Sequence, residues 1–445
     1  MKRATATLLL LLTTALATMT AQGVVDIVFN GSSATYNIPD TVSGVAIGKN
    51  GAKVTVVSST TTNEYTFRVS GSTTNGSLTI NGQYKMKLEL AGLTLTNASN
   101  GAAIDIECSK RIDVVLDSGT VNTICDSPKG SHTGAFYIKG HAEFKGKGTL
   151  NVTGMKKHAI KVGEYCELKK SAGTINILGA VSDGIHCGEG KVKDTGNYFR
   201  MSGGTLNISG VGGDGIDSDD YGVVSIDSGT VSISVPDDAV GLKADSTVSI
   251  SGGKVIIDVP GQDSKAIRAN HAVNISGGEN ILTVGGDGSK GIKANRYTTG
   301  STVLNGGNLT ISGGITDITV TGGNIIATDA KGVADTTKCM GISVDADFLM
   351  TDGTVTITAK GNEARTYNVK GEETLDGGTF RLVTITEESG IKGDVNGDGI
   401  VDVADISAVI NVMAEGTENK SADVNGDALV DVADISAIIY IMANN

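Results

Sequence analysis

The sequence predicts an all-β body, a right-handed single-stranded parallel β-helix, followed by a small α-helical domain at the C-terminus. Three observations carry that prediction. The composition, with 62 Gly, 4 Pro and no Trp beside abundant Ser, Thr, Val and Ile, favours many short strands over helices. A turn-and-strand phrase recurs at intervals close to 25 residues, too short to bury its own apolar face unless copies stack. Finally, the last fifty or so residues are two near-copies of one loop-then-helix pattern.

At the N-terminus, Lys2 and Arg3 precede an apolar run centred on Leu8 to Leu12, and Met19-Thr20-Ala21 offers a small-residue cleavage site. This reads as a secretory signal over residues 1–21, so the mature chain is expected to be secreted or at the cell surface. The apolar run is far shorter than the roughly 20 residues a bilayer span needs, so no membrane span is expected. Five cysteines (Cys108, Cys125, Cys166, Cys187, Cys339) show no CxxC pairing and read as small buried core residues. Residues 391–445 hold ten acidic residues against two lysines, which accounts for most of the net charge of −13. The nearly balanced body, without a basic patch interleaved with aromatics, excludes a nucleic-acid binder.

The repeated phrase is a Gly-Gly-Thr-like turn leading into alternating apolar residues. Copies are SGGTLNIS (202–209), DSGTVSIS (227–234), SGGKVIID (251–258), SGGENILT (276–283), TDGTVTIT (351–358) and DGGTFRLV (376–383). A second half supplies an apolar column, Ile160, Ile185, Ile216, Leu242, Ile267 and Ile292, at intervals of 25, 31, 26, 25 and 25 residues. Stacked coils turn that column into a continuous core. The expected organisation is a cap with first coils over 22–90, the β-helix over 91–385, a linker over 386–392 and the terminal domain over 393–445.

If the column points inward, the following residue points outward, because side chains alternate along a strand. Read down the stack, those neighbours are Lys161, His186, Asp217, Lys243, Arg268 and Lys293. Two residues before the inward position lie His158, Asp183, Asp214, Val240, Lys265 and Lys290. With coils about 4.8 Å apart, the sequence predicts a surface stripe with an acidic centre and basic flanks. Asp183, Asp214, Asp217, Asp219, Asp220, Asp237 and Asp238 crowd the centre, and like charges that close call for a hard cation with oxygen ligands. Calcium at Asp183, Asp214 and Asp217 is the functional reading; turn-capping or pairing with Lys243 is the plain one. Lys161, His186, Lys243, Lys265, Arg268, Lys290 and Lys293 form a ladder suited to the carboxylates of an acidic polysaccharide. Scarce aromatics disfavour a neutral-sugar platform; Tyr198, Phe199 and Tyr297 are the few stacking candidates.

The phrases SDGIHCGEG (182–190), GGDGIDSDD (212–220) and DAVGLKADSTVSISGG (238–253) resemble a bacterial carbohydrate-binding β-helix family, related in fold to pectate lyases and carrying bound calcium. The resemblance implies binding of pectin-type acidic polysaccharide, and of cellulose as a further candidate, without catalysis. A calcium-dependent lyase is the alternative. It would need Lys243 as the base that removes the proton beside a uronate carboxylate, with its pKa brought down toward neutrality. A structural surface protein is the third reading.

In the tail, DVNGDGIVDVADISAVINVMA (394–414) and DVNGDALVDVADISAIIYIMA (423–443) each fit a calcium loop. Asp394, Asn396, Asp398, Ile400 by its carbonyl, Asp402 and Asp405 take positions 1, 3, 5, 7, 9 and 12 of the first. Asp423, Asn425, Asp427, Leu429, Asp431 and Asp434 take those of the second, where Ala428 replaces the usual Gly at position 6. Amphipathic helices are expected after each loop, with Ile406, Val409, Ile410 and Met413 and then Ile435, Ile438, Ile439 and Met442 as their apolar faces. Loop-then-helix in duplicate resembles a type I dockerin, which implies Ca2+ and a cohesin-bearing scaffold partner. Val403-Ala404 and Val432-Ala433 depart from the Ser-Thr pairs common in clostridial members. The chain is expected to be a monomer.

Overall fold

A computed structural model describes residues 23–188, 196–296, 305–322, 339–360, 364–385, 392–398, 400–416, 420–427 and 429–444, with short strand segments at 298–299, 302–303, 326–328 and 334–336. The expected signal segment, most of the expected linker, Ala428 and Tyr297 lie outside the described residues. The fold is a parallel β-helix with two C-terminal helices. The chain divides into two compact units, Met1–Ser234 with Leu242–Gly253, and Val235–Gly241 with Lys254–Asn445.

The first unit opens with two antiparallel hairpins, Val24–Asn30 with Ser33–Asn37 and Val45–Asn50 with Lys53–Ser58. Thereafter each coil contributes three short strands that pair in parallel with their counterparts on the next coil. His158–Val162, Tyr165–Leu168 and Thr174–Ala180 make one such coil; Ile185–Cys187, Tyr198–Met201 and Thr205–Ile208 make the next. The alternation is visible residue by residue. Leu150, Ile175, Leu206 and Val231 stack inward in register and are fully buried, while Thr149, Thr174, Thr205 and Thr230 stack outward. Outward asparagines add lateral bonds: Asn207 Nδ2 donates to Asn176 Oδ1, and Asn176 Nδ2 to Asn151 Oδ1, each at 2.8 Å.

The predicted apolar column is present and fixes the site. Ile160, Ile185, Ile216 and Leu242 are in register and fully buried. The small residue before each is dictated by packing. A Cβ on Gly184 would come within 2.8 Å of Ile208 Cγ2 and 2.7 Å of the Gly215 carbonyl oxygen, so Asp183 and Ile185 must be joined by Gly.

In the second unit the same logic gives Ile267, Ile292 and Ile342 in register along Lys265–Ala269, Lys290–Ala294 and Cys339–Val344. Here the two other strands of a coil often run together as one long strand, as in Ala272–Val284, Asn308–Val320 and Phe348–Lys360, with register shifts where the Gly turns interrupt the pairing. All five cysteines are free thiols, and four of them are buried.

The tail contains helices α1 (Val403–Glu415) and α2 (Val432–Asn444). Asp402 caps α1 in a reciprocal capping box with Asp405, and Gly416 ends it in the left-handed conformation, its N–H donating to the Val412 carbonyl. The core is Val395, Val409, Ala422, Val424 and Ile438, with Ile406, Val412, Ile435, Ile441 and Met442 packed against it. The buried face of α1 therefore runs through Ile406, Val409 and Val412. Ile410 and Met413, expected on that face, are 49% and 39% exposed, and Ile439 of α2 is 52% exposed. The reason is geometric: the core needs only a narrow stripe on each helix, and the remaining apolar residues face outward.

Candidate functional site

The outward column of the first unit is built by strand pairing. Lys161 opposes His186, His186 opposes Asp217, and Asp217 opposes Lys243, although consecutive members are 25 to 31 residues apart in sequence. The adjacent column brings in the turn residues. Ala159 N donates to the Asp183 carbonyl and Gly184 N to the Asp214 carbonyl, which seats Asp183 beside His158 and Asp214 beside Asp183.

The side chains then converge. His158 Nδ1 and His186 Nδ1 both approach Asp183 Oδ2, at 3.0 and 2.9 Å, and their rings lie 4.4 Å apart, centre to centre. His186 Nε2 is 3.3 Å from Asp219 Oδ2, and its Nδ1 is 3.6 Å from Asp217 Oδ2. The Lys243 ammonium sits between two carboxylates, 2.9 Å from Asp214 Oδ2 and 2.8 Å from Asp217 Oδ2. Asp183 Oδ1 accepts from Asp214 N at 3.0 Å and from the Ser182 hydroxyl at 3.1 Å. His158 is 2% exposed, Asp217 4% and Asp183 6%, so these charges are held in a low-dielectric setting.

The electrostatics follow from that burial. Burial lowers the His158 imidazole to about 4 against the pull of Asp183. Burial would raise the Asp183 carboxyl, but hydrogen bonds with His158 and His186 outweigh it and hold it far below the carboxylate range. Burial raises Asp217; Lys243 pulls it back, and Asp219 and Asp214 push it up again. Lys243 would be lowered by burial, yet Asp217 and Asp214 raise it above its ordinary value. One ammonium thus faces four carboxylates, and the excess negative charge is the dominant property of this cluster.

Other residues singled out by the sequence fall elsewhere. Lys161 is 7% exposed and its ammonium donates to the Gly188 carbonyl, so it is folded into the coil rather than offered to a ligand. Asp220 adopts a left-handed conformation with its N–H on Asp245 Oδ2. Asp237 and Asp238 belong to the second unit and serve a turn there: Asp237 Oδ1 accepts from Gln262 N, and Asp238 N donates to the Gln262 carbonyl. Phe199 is fully buried in the core. Tyr198 stacks on Tyr165 at 4.8 Å with nearly parallel rings and donates to Glu167 Oε1 at 2.7 Å. His158 is the member that column reading left unassigned; its position one coil before Asp183 was the available signal.

In the second unit, Lys265 opposes Lys290 and Arg268 opposes Lys293. Burial lowers both Lys265 and Lys290, and repulsion by Lys265 adds to the effect on Lys290. Their ammonium groups donate to the Asp263 and Gly288 carbonyls. Lys293 pairs with Asp345 at 2.8 Å, and Lys370 shares that carboxylate.

The tail loops are near copies in three dimensions as well. Asp394 Oδ1 accepts from Gly397 N and Asp398 N, and Asp398 Oδ1 from Ile400 N; Asp423 and Asp427 repeat this with Gly426, Asp427 and Leu429. Asp405 is fully buried, with Oδ1 accepting from Val395 N and Asn396 N and Oδ2 from Asp402 N. Asp434 accepts from Asn425 N and Asp431 N in the same way. These bonds curl each loop so that its donors to a metal are oxygens alone, the set a hard cation such as Ca2+ takes. Three N–H donors occupy Asp405, leaving about one of its roughly four lone-pair sites for an ion.

Residues 392–442 match the type I dockerin domain, and residues 50–265 match a family described as carbohydrate-binding domain-containing protein. The chain joins a carbohydrate-binding domain to a dockerin. The buried cluster lies inside the matched body, whereas Arg268, Lys290 and Lys293 lie beyond it. Among solved structures, a polysaccharide lyase-like protein from C. thermocellum, described as a gadolinium derivative, is similar at 14% identity over 80% of this chain and 99% of that one, with a TM-score of 0.33. No curated protein matches. Outside the dockerin core, Val403, Ile410, Val432, Ile439 and Tyr440 are exposed along the two helices. No helix among the described residues is long and apolar enough to cross a membrane.

Proposed function

We propose that the chain is a secreted or cell-surface protein that binds acidic, uronate-type polysaccharide through its coils. Its dockerin, locked by Ca2+, tethers it to a cohesin-bearing scaffold. The observation that carries the polysaccharide reading is the pairing of Lys265 with Lys290 and of Arg268 with Lys293. Register repeats a cationic pair at the coil spacing of about 4.8 Å, and a polyanion meets it as a row rather than as a single charge. Burial of Lys265 and Lys290 strengthens the case, because an incoming carboxylate restores stabilisation that these ammonium groups lose to desolvation. The exposed apolar residues of α1 and α2 are the docking face of the tail.

Calcium is assigned to the all-oxygen loops of the dockerin. In the coils, Asp214 and Asp217 already share the Lys243 ammonium, so a calcium ion there would have to displace it. The same pair weighs against a lyase: Lys243 is raised, not lowered, and a base for proton abstraction needs the opposite.

Calorimetric titration with polygalacturonate at low and high salt tests the reading. Lys265→Ala with Lys290→Ala, and Arg268→Ala with Lys293→Ala, are each expected to weaken binding roughly tenfold, and added salt to weaken the parent. Unchanged affinity in the fourfold variant, or equal binding of a neutral glucan, would overturn it.

A further inference from the structure

The buried cluster around Asp183 mixes nitrogen with oxygen donors, and its geometry points to a different ion from the one the dockerin loops take. We propose that His158 Nδ1, His186 Nδ1 and Asp183 Oδ2 form a site for a divalent transition metal of the Zn2+ class, with Asp217 at hand as a fourth ligand.

Four observations support this. The three donor atoms lie within 4.8 Å of one another, and Asp183 Oδ2 is 3.0 and 2.9 Å from the two imidazole nitrogens. Ligands around a tetrahedral ion with bonds of about 2.0–2.2 Å stand at comparable separations. Second, His158 Nδ1 is buried and lacks a hydrogen bond of acceptable geometry despite its short approach to Asp183, and Asp217 Oδ1 is buried without any partner. A metal would satisfy atoms that hydrogen bonding leaves unanswered. Third, His186 Nε2 faces Asp219 Oδ2 at 3.3 Å. A proton on Nε2 answers that carboxylate and leaves the Nδ1 lone pair directed at the site, the carboxylate–histidine–metal arrangement that orients metal-bound imidazoles. Fourth, imidazole nitrogens suit Zn2+ and its neighbours, whereas Ca2+ selects oxygen.

The donors come from two successive coils, His158 from one and Asp183 with His186 from the next, so the ion would also tie those coils together. Lys243 keeps its place on Asp214 and Asp217 or yields Asp217 to the metal; neither alternative requires the first three donors to move.

The test uses the full chain with excess Ca2+ present, so that the dockerin loops are filled, and Co2+ and Zn2+ as the probes. One equivalent of Co2+ should bind with the visible absorption of a low-coordinate nitrogen and oxygen environment, and Zn2+ should displace it. His158→Gln and His186→Gln should each weaken binding at least tenfold. Because both side chains are buried and a variant could fail to fold, imidazole nitrogen resonances of the unaltered protein give an independent readout. The chain has five histidines, and Zn2+ should shift the Nδ1 signals of His158 and His186 while leaving His132, His141 and His271 in place. Absence of stoichiometric Co2+ or Zn2+ binding with Ca2+ in excess would overturn the proposal. So would shifts confined to the other three imidazoles, or unchanged affinity in well-folded variants. None of these readouts involves polysaccharide, so their failure leaves the sugar-binding reading untouched.

Discussion

The coils and the dockerin both gather charged side chains around a point, and they do it by opposite routes. In the coils, His158, Asp183, Asp217 and Lys243 span 85 positions of sequence and meet because a buried column of Ile and Leu holds four coils in register. In the dockerin, each ligand set falls within twelve consecutive residues, and the core beneath both loops is five buried side chains. The coil site is therefore imposed by a core that exists without any ion. The dockerin loops are dense in carboxylates and thin in core, so their fold depends on the ion they hold.

Removing calcium should separate the two most sharply. With EDTA, the helical circular-dichroism signal of α1 and α2 should collapse while the β signal persists. A site saturated a thousandfold over its dissociation constant adds about 4 kcal/mol, a large share of what so small a core supplies. Retention of full helicity without calcium would break the contrast. The converse experiment attacks the coils from within. Ile216→Ala removes a fully buried link between Ile185 and Leu242, at a cost of about 3–4 kcal/mol, and should loosen Asp217 from Lys243 while leaving the helical signal unchanged. Chemical denaturation followed at both signals reads the two effects separately.

The two routes also explain what could be read in advance. The dockerin was legible almost entirely, because its chemistry is local in sequence; only the helix faces shifted, with Ile410 and Ile439 outward, since burial depends on what packs opposite. In the coils, periodicity was enough to align Lys161, His186, Asp217 and Lys243. It was not enough to say where each side chain turns after leaving the strand. Lys161 bends onto the Gly188 carbonyl, and His158 rotates its ring toward Asp183. Both choices depend on loop carbonyls and carboxylates of the following coil, which a one-dimensional pattern does not encode. The turn position of Asp237 was hidden for the same reason, as its partner Gln262 lies 25 residues on.

A smaller effect sharpens the contrast by pH. Asp105 stands on the outward column opposite Thr79 and Tyr137, with Oδ1 buried and unpartnered. Burial, assisted by Glu107, raises its pKa to about 6 from an ordinary value of 3.8. Between those values the folded state holds more protons than the unfolded one, so the coils lose stability as pH rises through that window. Asp105→Asn should recover about 1–2 kcal/mol at pH 7, discounted for partial solvent screening, and nothing at acid pH. Equal gains at both pH values would point to packing rather than charge.

The smallest expected effect asks whether side-chain bonds between coils add up as the register does. Asn176 gives and receives in the ladder, donating to Asn151 and accepting from Asn207, whereas Asn207 only donates. Each bond is half exposed and worth about 0.5 kcal/mol net. Asn176→Ala should then cost roughly 1 kcal/mol and Asn207→Ala roughly half of that, measured by urea denaturation of the β signal. A pair of equal losses would mean that the ladder is bonded more tightly to water than to itself. Register would then rest on the buried column alone, so that the coils place their charges through packing with no help from the polar face.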